Sequence, residues 1–458
     1  MSDHDAKPIV IWFAAAAILA ALAGNLLHIA FDQSAIWHGV DQNFYNRFCE
    51  FQSYHGPFNF RLAVYESSYQ FSLLYFPTGL LAKAFGLQSW LLFVMPMLGF
   101  ALMLVFAYLI GKRLGGATAG WLAAAALSMT PFAFGVARRF DSWPLIMAVY
   151  LGLAYAVMRF EDRPNYKRAL LIGLFGALSL ASAHDNTSFA LTALYTAGPL
   201  AWAAWLALAA PEQPAWKRLS NTALMFAGVA VWLYFFWLGA GIRNGYAAYF
   251  QREWNTAVAQ VNWVYGLGGY VAAFWYDMFG PVVMIPLVAG WLAFPWLSRR
   301  RKELVWFAFS LGAFLAFSAI PKKNLWYILD ALALAPVFAA VSFTRLLNRL
   351  NPRAATVVGV ALPALLLGQY VYCLFVPLSR SEWLKSYTSK TIQQDVSFPE
   401  RIHWTPERTK PHSPPAPATN SMRPNGLELT PRFSARERTP WFAPSRKVEP
   451  LLVAGSGP

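Results

Sequence analysis

Long apolar runs separated by short polar connections dominate the hydrophobic pattern of this chain. A helix needs about 20 mostly apolar residues to cross the hydrocarbon core of a membrane, and runs of that order predict about eleven transmembrane helices. The predicted spans lie at 8–31, 88–110, 117–137, 142–158, 169–183, 188–209, 221–240, 280–298, 304–320, 326–343 and 355–378. No soluble-domain pattern stands between them, so the chain is predicted to be an all-α polytopic membrane protein.

Three segments depart from this alternation of helix and short turn. Residues 32–87 form the longest connection, with an amphipathic run that ends near Phe85, and residues 241–279 form an aromatic-rich second one. Residues 379–458 contain 12 prolines mixed with Arg, Ser and Thr, a composition that cannot bury a hydrophobic core. We therefore predict a membrane domain at 1–378 and a disordered tail at 379–458. Within the membrane domain, 32–87 is a first outer loop with short amphipathic helices, and 241–279 is a second outer segment.

Composition and charge support this interpretation and predict its orientation. The chain is 57% hydrophobic and 13% charged, which is about half the charged fraction of a soluble protein. Its two cysteines exclude a disulfide framework and a Cys-rich metal site. With the N-terminus in the cytoplasm, the cytoplasmic connections hold 16 Lys and Arg against 6 Asp and Glu, whereas the opposite face up to residue 378 holds nine of each. Cytoplasmic loops of membrane proteins are rich in Lys and Arg. The net charge of +15 is therefore mostly a topology signal. With no nucleic-acid-binding motif beside it, it predicts membrane lipids, and no nucleic acid, as partners.

Five polar groups on the predicted outer face need an explanation, because an ionisable side chain at membrane depth costs about 3 kcal/mol on insertion scales. In chain order they are Asp41, then Tyr65 with Glu66, then Arg138 and Arg139 with Asp141, then His184 with Asp185, and finally Lys322 and Lys323 with Tyr327. Each group also has a purely structural interpretation. These are a solvated loop acid, an interfacial salt bridge, a helix cap, or a lysine that reaches the lipid head groups.

The cations among them favour an anionic ligand. Arg138 and Arg139, like Lys322 and Lys323, lie on the face where the topology rule predicts few positive charges. The planar guanidinium of arginine can bond two phosphate oxygens at once. A phosphate on the outer face would account for both pairs.

Together and in this order, the five groups resemble the sites of the GT-C class of membrane-embedded glycosyltransferases, which take sugar from a polyprenyl-phosphate carrier. The most similar patterns are those of the protein O-mannosyltransferases and the aminoarabinose transferases that modify lipid A. In that class an Asp-Glu pair sits in the first outer loop, where Asp41-Gln42 lies here. An aromatic-Glu-Lys-Pro segment then leads to a helix that ends in Phe-Gly, to which Tyr65-Glu66-Ser67-Ser68 and Phe85-Gly86 are similar.

Two later features extend the resemblance over roughly residues 8–345. The class has an Asp at the start of the fourth span, which Asp141 matches. It also has a basic residue and a Tyr-Ile/Leu-Leu-Pro segment before a late span, to which Lys322-Lys323 and the run from Tyr327 to Asp330 are similar. The sequence departs from the pattern where Gln42 replaces Glu, where Ser67-Ser68 replaces Lys-Pro, and where Asp330 replaces Pro.

The resemblance implies an enzyme at the outer face of the cell inner membrane that moves a sugar from a polyprenyl-phosphate donor to a lipid, glycan or protein acceptor. It assigns catalytic roles to Asp41 and Glu66. A carboxylate in a partly dry cavity suits a general base, and Asp41 is the residue expected to take the acceptor proton. The substrate-binding residues it implies are Tyr65, Arg138, Arg139, Asp141, His184, Asp185, Lys322, Lys323 and Tyr327. No organic cofactor and no metal ligand is predicted, and a divalent cation stays open.

Two other functions compete with this one. A transporter or flippase of a lipid-linked glycan precursor would carry charged residues at mid-span, whereas the middle thirds of these predicted helices are almost free of charge. A glycan polymerase or ligase of another membrane class typically places its longest outer loop late in the chain. Here the longest outer loop, 32–87, comes first.

Overall fold

The chain folds into a bundle of helices, seen in a computed structural model. The structure describes residues 7–31, 73–85, 90–130, 133, 137, 142–182, 186–238, 271, 279–280, 282–298, 300–318, 328–375, 428–430 and 451–453. These residues form α1 Pro8–Phe31, α2 Tyr75–Phe85, α3 Leu91–Gly115, α4 Ala117–Ser128, α5 Trp143–Asp162, α6 Tyr166–Ala181, α7 Asn186–Leu208, α8 Ala215–Leu238, α9 Met284–Leu297, α10 Arg301–Ser318, α11 Leu329–Leu347 and α12 Pro352–Phe375. Two strands, β1 Glu428–Thr430 and β2 Leu451–Val453, pair antiparallel with Leu429 opposite Leu452.

The helical fold class predicted from the sequence is confirmed. Each of the eleven predicted spans overlaps one helix, and α2 is the amphipathic helix expected in the first outer loop. Among the described residues, four helices are long and apolar enough to cross a membrane, namely α1, α3, α5 and α12, and α4, α9 and α11 contain shorter apolar stretches. The number of spans and the disorder of the tail stay predictions. Apart from its two short strands, the tail lies outside the described residues.

The core of the bundle lies where α3, α4, α5 and α11 meet. α4 is rich in alanine and almost wholly buried, and it contacts α1, α3, α11 and α12. In α5, 89% of the most apolar stretch is buried, between α3 on one side and α6 and α7 on the other. Helices in lipid associate mainly through close packing of small side chains, since the lipid tails are as apolar as the helices themselves. The small residues of α4 therefore place it at the centre.

Helices α6 and α8 approach each other most closely at two glycines. A Cβ on Gly173 would overlap the carbonyl oxygen of Leu224, and a Cβ on Gly228 would lie 2.7 Å from the carbonyl oxygen of Gly173. Both obstacles are backbone atoms, which cannot rotate away. This contact therefore requires residues without side chains.

We expect Gly173→Leu to lower the free energy of unfolding by about 1–3 kcal/mol or more, because the added side chain must push the two backbones apart. Unfolding of the purified protein in mixed detergent measures this difference. Gly312→Leu is the matched control, since nothing lies within 4 Å of a Cβ at that helical glycine. Equal stability of the two variants would show that the α6–α8 contact does not need the glycine.

Hydrogen bonds between helices identify the two ends of the bundle. We call the end that contains Lys7, Thr118, Glu161 and Arg345 the lower end. There the backbone N–H of Lys7 donates to Thr118 Oγ1 at 3.1 Å, and Arg345 Nη2 donates to the carbonyl oxygen of Leu114 at 3.1 Å. Short turns at this end join α3 to α4, α5 to α6, α7 to α8, α9 to α10, and α11 to α12. The opposite ends of these helices form the upper end.

Candidate functional site

The eleven predicted site residues all lie outside the described residues. They are Asp41, Tyr65, Glu66, Arg138, Arg139, Asp141, His184, Asp185, Lys322, Lys323 and Tyr327. Their positions and roles stay predictions. The structure does describe the helix ends that precede or follow each group along the chain.

Those flanking helix ends all belong to the upper end of the bundle. α1 runs upward from Lys7 toward the segment that contains Asp41, and α5 begins at Trp143, just after Asp141. His184 and Asp185 fall between the end of α6 and the start of α7, and Tyr327 falls just before α11. The connections that the sequence assigns to one face of the membrane thus begin and end at one end of the bundle.

One backbone hydrogen bond joins two of these connections. Leu73 is the first described residue after Glu66. Its backbone N–H donates to the carbonyl oxygen of Ala181 at 2.9 Å. Leu73 lies seven residues after Glu66 in the sequence, and Ala181 is the last residue of α6, three residues before His184. The described chain that follows Glu66 is therefore held beside the described chain that precedes His184.

A small hydrophobic cluster brings the start of α5, which follows Asp141, next to Leu74 and the start of α2. Leu74 and Tyr75 at the start of α2 are buried with Leu91 at the start of α3 and with Leu145 in the first turn of α5. Leu145 follows Asp141 closely along the chain. The described neighbours of Glu66, Asp141 and His184 thus come together at the upper end, through contacts that no sequence motif indicated.

A set of buried hydroxyl groups at α6 and α7 had no counterpart among the sequence predictions. Thr196 Oγ1 donates to Ser179 Oγ at 2.8 Å or to the carbonyl oxygen of Thr192 at 2.5 Å, and Ser182 Oγ donates to the carbonyl oxygen of Ser179 at 2.6 Å. The bond between Thr196 and Ser179 crosses from α7 to α6. It holds together the two helices that flank His184 and Asp185 in the sequence. The spacing of Thr192 and Thr196, on one face of α7, is the signal that could have found them.

The lower end contains a polar network that composition alone did not reveal. The carboxylate of Glu161 on α5 is buried. Its Oε1 accepts from Trp202 Nε1 at 2.7 Å and Trp306 Nε1 at 3.1 Å, and its Oε2 accepts from Arg113 Nη2 at 3.3 Å. Lys302 Nζ donates to the backbone carbonyl oxygen of Glu161 at 3.0 Å. One acidic side chain therefore joins α3, α5, α7 and α10.

A second buried acid joins two further helices, α9 and α11, to this end. Glu303 Oε2 accepts from Ser298 Oγ at 2.6 Å and from Arg345 Nη2 at 2.8 Å. Arg345 also donates to the carbonyl oxygens of Leu297 and Leu114 and lies 5.4 Å from the ring centroid of Phe294. The donors around both carboxylates come from the chain itself. We therefore assign this end to stabilising the fold.

No metal centre can be located from the described part of the chain. Within it, no group of three or more His, Cys, Asp or Glu side chains comes close enough to hold a metal ion. Apart from Asp330 in the first turn of α11, the acids that the sequence places on the outer face, Asp41 and Glu66 among them, lie outside it.

The fold is similar to that of the membrane glycosyltransferase ArnT. ArnT from Cupriavidus metallidurans bound to undecaprenyl phosphate matches with a TM-score of 0.51 and 16% identity, over 85% of this chain and 69% of that chain. Its apo state matches with a TM-score of 0.49 and 17% identity, over the same shares of 85% and 69%. The Archaeoglobus fulgidus oligosaccharyltransferase in complex with Zn and sulfate matches with a TM-score of 0.46 and 12% identity, over 77% of this chain and 53% of that chain.

ArnT, a lipid A aminoarabinose transferase, and the oligosaccharyltransferase are both GT-C glycosyltransferases. The likeness in fold to ArnT bound to undecaprenyl phosphate, at a TM-score of 0.51, confirms the GT-C-like fold implied by the sequence resemblance. The chain spans about two thirds of the length of ArnT and about half of that of the oligosaccharyltransferase. No protein-family model and no curated protein sequence matches this chain.

Proposed function

We propose that this chain, with its GT-C-like fold, transfers a sugar from a polyprenyl-phosphate carrier to a lipid, glycan or protein acceptor. The observation that carries the proposal is the likeness in fold to ArnT over 85% of the chain, in a structure of ArnT that holds undecaprenyl phosphate. The order of the polar groups along the sequence adds to it. Membrane sugar transfer is the broader part of this function, and the polyprenyl-phosphate donor is the more specific part.

The chemistry requires one proton acceptor and one anion-stabilising group. The acceptor hydroxyl oxygen forms a bond to the anomeric carbon of the sugar while the bond from that carbon to the carrier phosphate breaks. The hydroxyl proton passes to the carboxylate of Asp41, and the carrier leaves as polyprenyl phosphate. Arg138, Arg139, Lys322 and Lys323 stabilise the negative charge that develops on the leaving phosphate.

The remaining predicted residues hold the reactants in place. Glu66 acts with Asp41 as a second carboxylate at the reacting centre. Tyr65, Asp141 and Tyr327 would contact the sugar or orient the cations, and His184 with Asp185 would bind polar groups of donor or acceptor. Since the donor's tail is a lipid, a groove between helices suffices, and no domain for a soluble sugar nucleotide is needed.

Orientation follows from the charge count. With the lower end in the cytoplasm, the cations Arg113, Lys302 and Arg345 lie on the side where the topology rule expects them. The upper end then faces outward from the inner membrane. We accordingly propose that the reaction takes place at the outer face, where the five polar groups are predicted.

A transfer assay tests the proposed function against the transporter alternative. Purified protein in nanodiscs is mixed with a polyprenyl-phosphate sugar labelled in the sugar and with extracted envelope lipids, glycans or proteins as acceptors. We expect the label to move to an acceptor and unlabelled polyprenyl phosphate to accumulate, whereas a soluble sugar nucleotide gives no transfer. In closed vesicles, label that crosses the membrane while still attached to its carrier would favour the flippase instead.

A further inference from the structure

A buried glutamine near the upper end of α12 holds the turn that follows the second outer segment. Gln369 is 0% exposed, in a helix apolar enough to cross a membrane. Its Oε1 accepts from the backbone N–H groups of Val282 at 3.0 Å and Val283 at 3.1 Å, and its Nε2 donates to the carbonyl oxygen of Phe279 at 2.7 Å. Since a buried amide costs free energy unless it is hydrogen-bonded, the side chain and the turn depend on each other. We call these three bonds the Gln369 tether.

The turn is shaped around that side chain. Gly280 has a φ of 86°, in the left-handed region that favours glycine. A Cβ at this position would also lie 2.5 Å from the amide carbon and nitrogen of Gln369. Both the backbone conformation and the space thus require glycine. The turn leads directly into α9, whose N-terminal residue Met284 bonds the carbonyl oxygen of Gly280 at 3.0 Å.

The next residue of α12 contacts the helix that leads into the first outer loop. Tyr370 is buried, and its hydroxyl donates to the carbonyl oxygen of Ala21 at 3.4 Å. Its ring lies against Gly24, where a Cβ would overlap the phenol group. Consecutive residues of a helix point about 100° apart. Gln369 and Tyr370 therefore reach two different partners from the same turn of α12.

We propose that Gln369 and Tyr370 are positioning residues that set the separation between the two outer segments at their anchoring points. One anchor is α1, from which the chain enters the first outer loop, and the other is the turn at Phe279, where it leaves the second outer segment. The proposal deepens the proposed function and rests on it, because the first outer loop carries Asp41. It concerns α12, which lies beyond the 8–345 region of the sequence resemblance.

If these residues position α1 and the turn at Phe279, breaking the tether should impair the use of the acceptor. Asp41 must reach the acceptor hydroxyl, and a displacement of about 1 Å at a reacting centre can cost about a hundredfold in rate. The cations assigned to the donor phosphate flank α5 and α11, and the three bonds of the Gln369 tether reach neither of these helices. A broken tether should therefore lower kcat and raise the KM for the acceptor, and leave the KM for the donor unchanged. Loss of folded protein alone would change neither KM.

Hydrogen exchange tests the tether without reference to activity. In Gln369→Leu, the amides of Val282 and Val283 should exchange at least about tenfold faster than in the wild type, because both lose their acceptor. Gly368→Ala is the matched control on the same helical turn, since nothing lies within 4 Å of its Cβ, and its exchange should equal that of the wild type. Unchanged protection in Gln369→Leu would overturn the tether.

Transfer kinetics test the consequence, normalised to monodisperse protein. Gln369→Leu should lower kcat/KM for the acceptor by at least about tenfold, and Gly280→Ala should do the same from the other side of the contact while Gln369 is kept. The double variant should be no worse than the more severe single variant, since both act on one contact. Fast exchange with wild-type acceptor kinetics would overturn the positioning role. A wild-type protein that transfers no sugar would overturn the proposed function while the exchange result stands.

Discussion

Replacing Asp41 with Asn is expected to lower the rate of sugar transfer by about a hundred- to ten-thousand-fold, the usual contribution of a general base. The amide keeps the size and the hydrogen-bonding capacity of the side chain but cannot take the acceptor proton. Because the substituted group acts in the transition state and not in donor binding, kcat should fall while the KM for the donor changes little. Initial rates with a polyprenyl-phosphate sugar donor measure both.

The first outer loop offers a matched control for this variant. Glu50 is an acid of the same loop to which the resemblance assigns no role. Glu50→Gln removes the same amount of charge and should leave kcat within about twofold of the wild type. Full activity in Asp41→Asn would remove Asp41 from the mechanism, whereas equal losses in both variants would indicate an effect of loop charge and not of proton transfer.

Glu161→Leu is expected to lower the free energy of unfolding by about 3–5 kcal/mol, the loss typical of removing one partner from a buried ion pair. The substitution leaves Trp202 Nε1 and Trp306 Nε1 without their acceptor and removes the buried partner of Arg113. The unfolding midpoint in mixed detergent, compared with the wild type, measures the loss.

The adjacent residue is the control. Asp162 forms an ion pair of 2.8 Å with the same Arg113, but its side chain is 51% exposed, so water screens the pair. Asp162→Asn should cost less than about 1 kcal/mol. In the double variant Arg113→Met with Glu161→Leu, the loss should be smaller than the two single losses added together, since both act on one contact. A loss in Glu161→Leu as small as in Asp162→Asn would show that burial does not strengthen this network.

The first experiment concerns the predicted site, and the second concerns the lower end of the bundle. The lower end is joined by Glu161 and Glu303, whose bonds connect α3, α5, α7, α9, α10 and α11. The upper ends of α5, α7 and α11 flank Asp141, Asp185 and Tyr327. We infer that the charged network keeps the helices in place at the lower end, so that the connections at the upper end can be used for chemistry.

Helix positions could be predicted from the sequence because of how a membrane acts on a chain. In lipid, each helix satisfies its own backbone hydrogen bonds, so a run of apolar residues is sufficient to indicate one. The boundaries were less well predicted. The span predicted at 221–240 belongs to a helix that begins at Ala215, so its first turns, with Lys217 and Arg218, lie before the apolar run. α4 was predicted to continue to 137 but ends at Ser128, where Met129 and Thr130 form a turn before Pro131.

Apolar length and the order of polar groups were enough to predict the helical class, the approximate course of each helix and the candidate site residues. Which side chains meet depends on the tertiary structure. Arg113, Lys302 and Arg345 counted in the sequence as topology charges alone, yet they bond Glu161, Glu303 or backbone carbonyls of other helices. Gln369 likewise stood unnoticed in an apolar run and holds a turn 86 residues away along the chain. Such contacts depend on how helices that are distant in sequence pack together, and a local sequence pattern does not specify this packing.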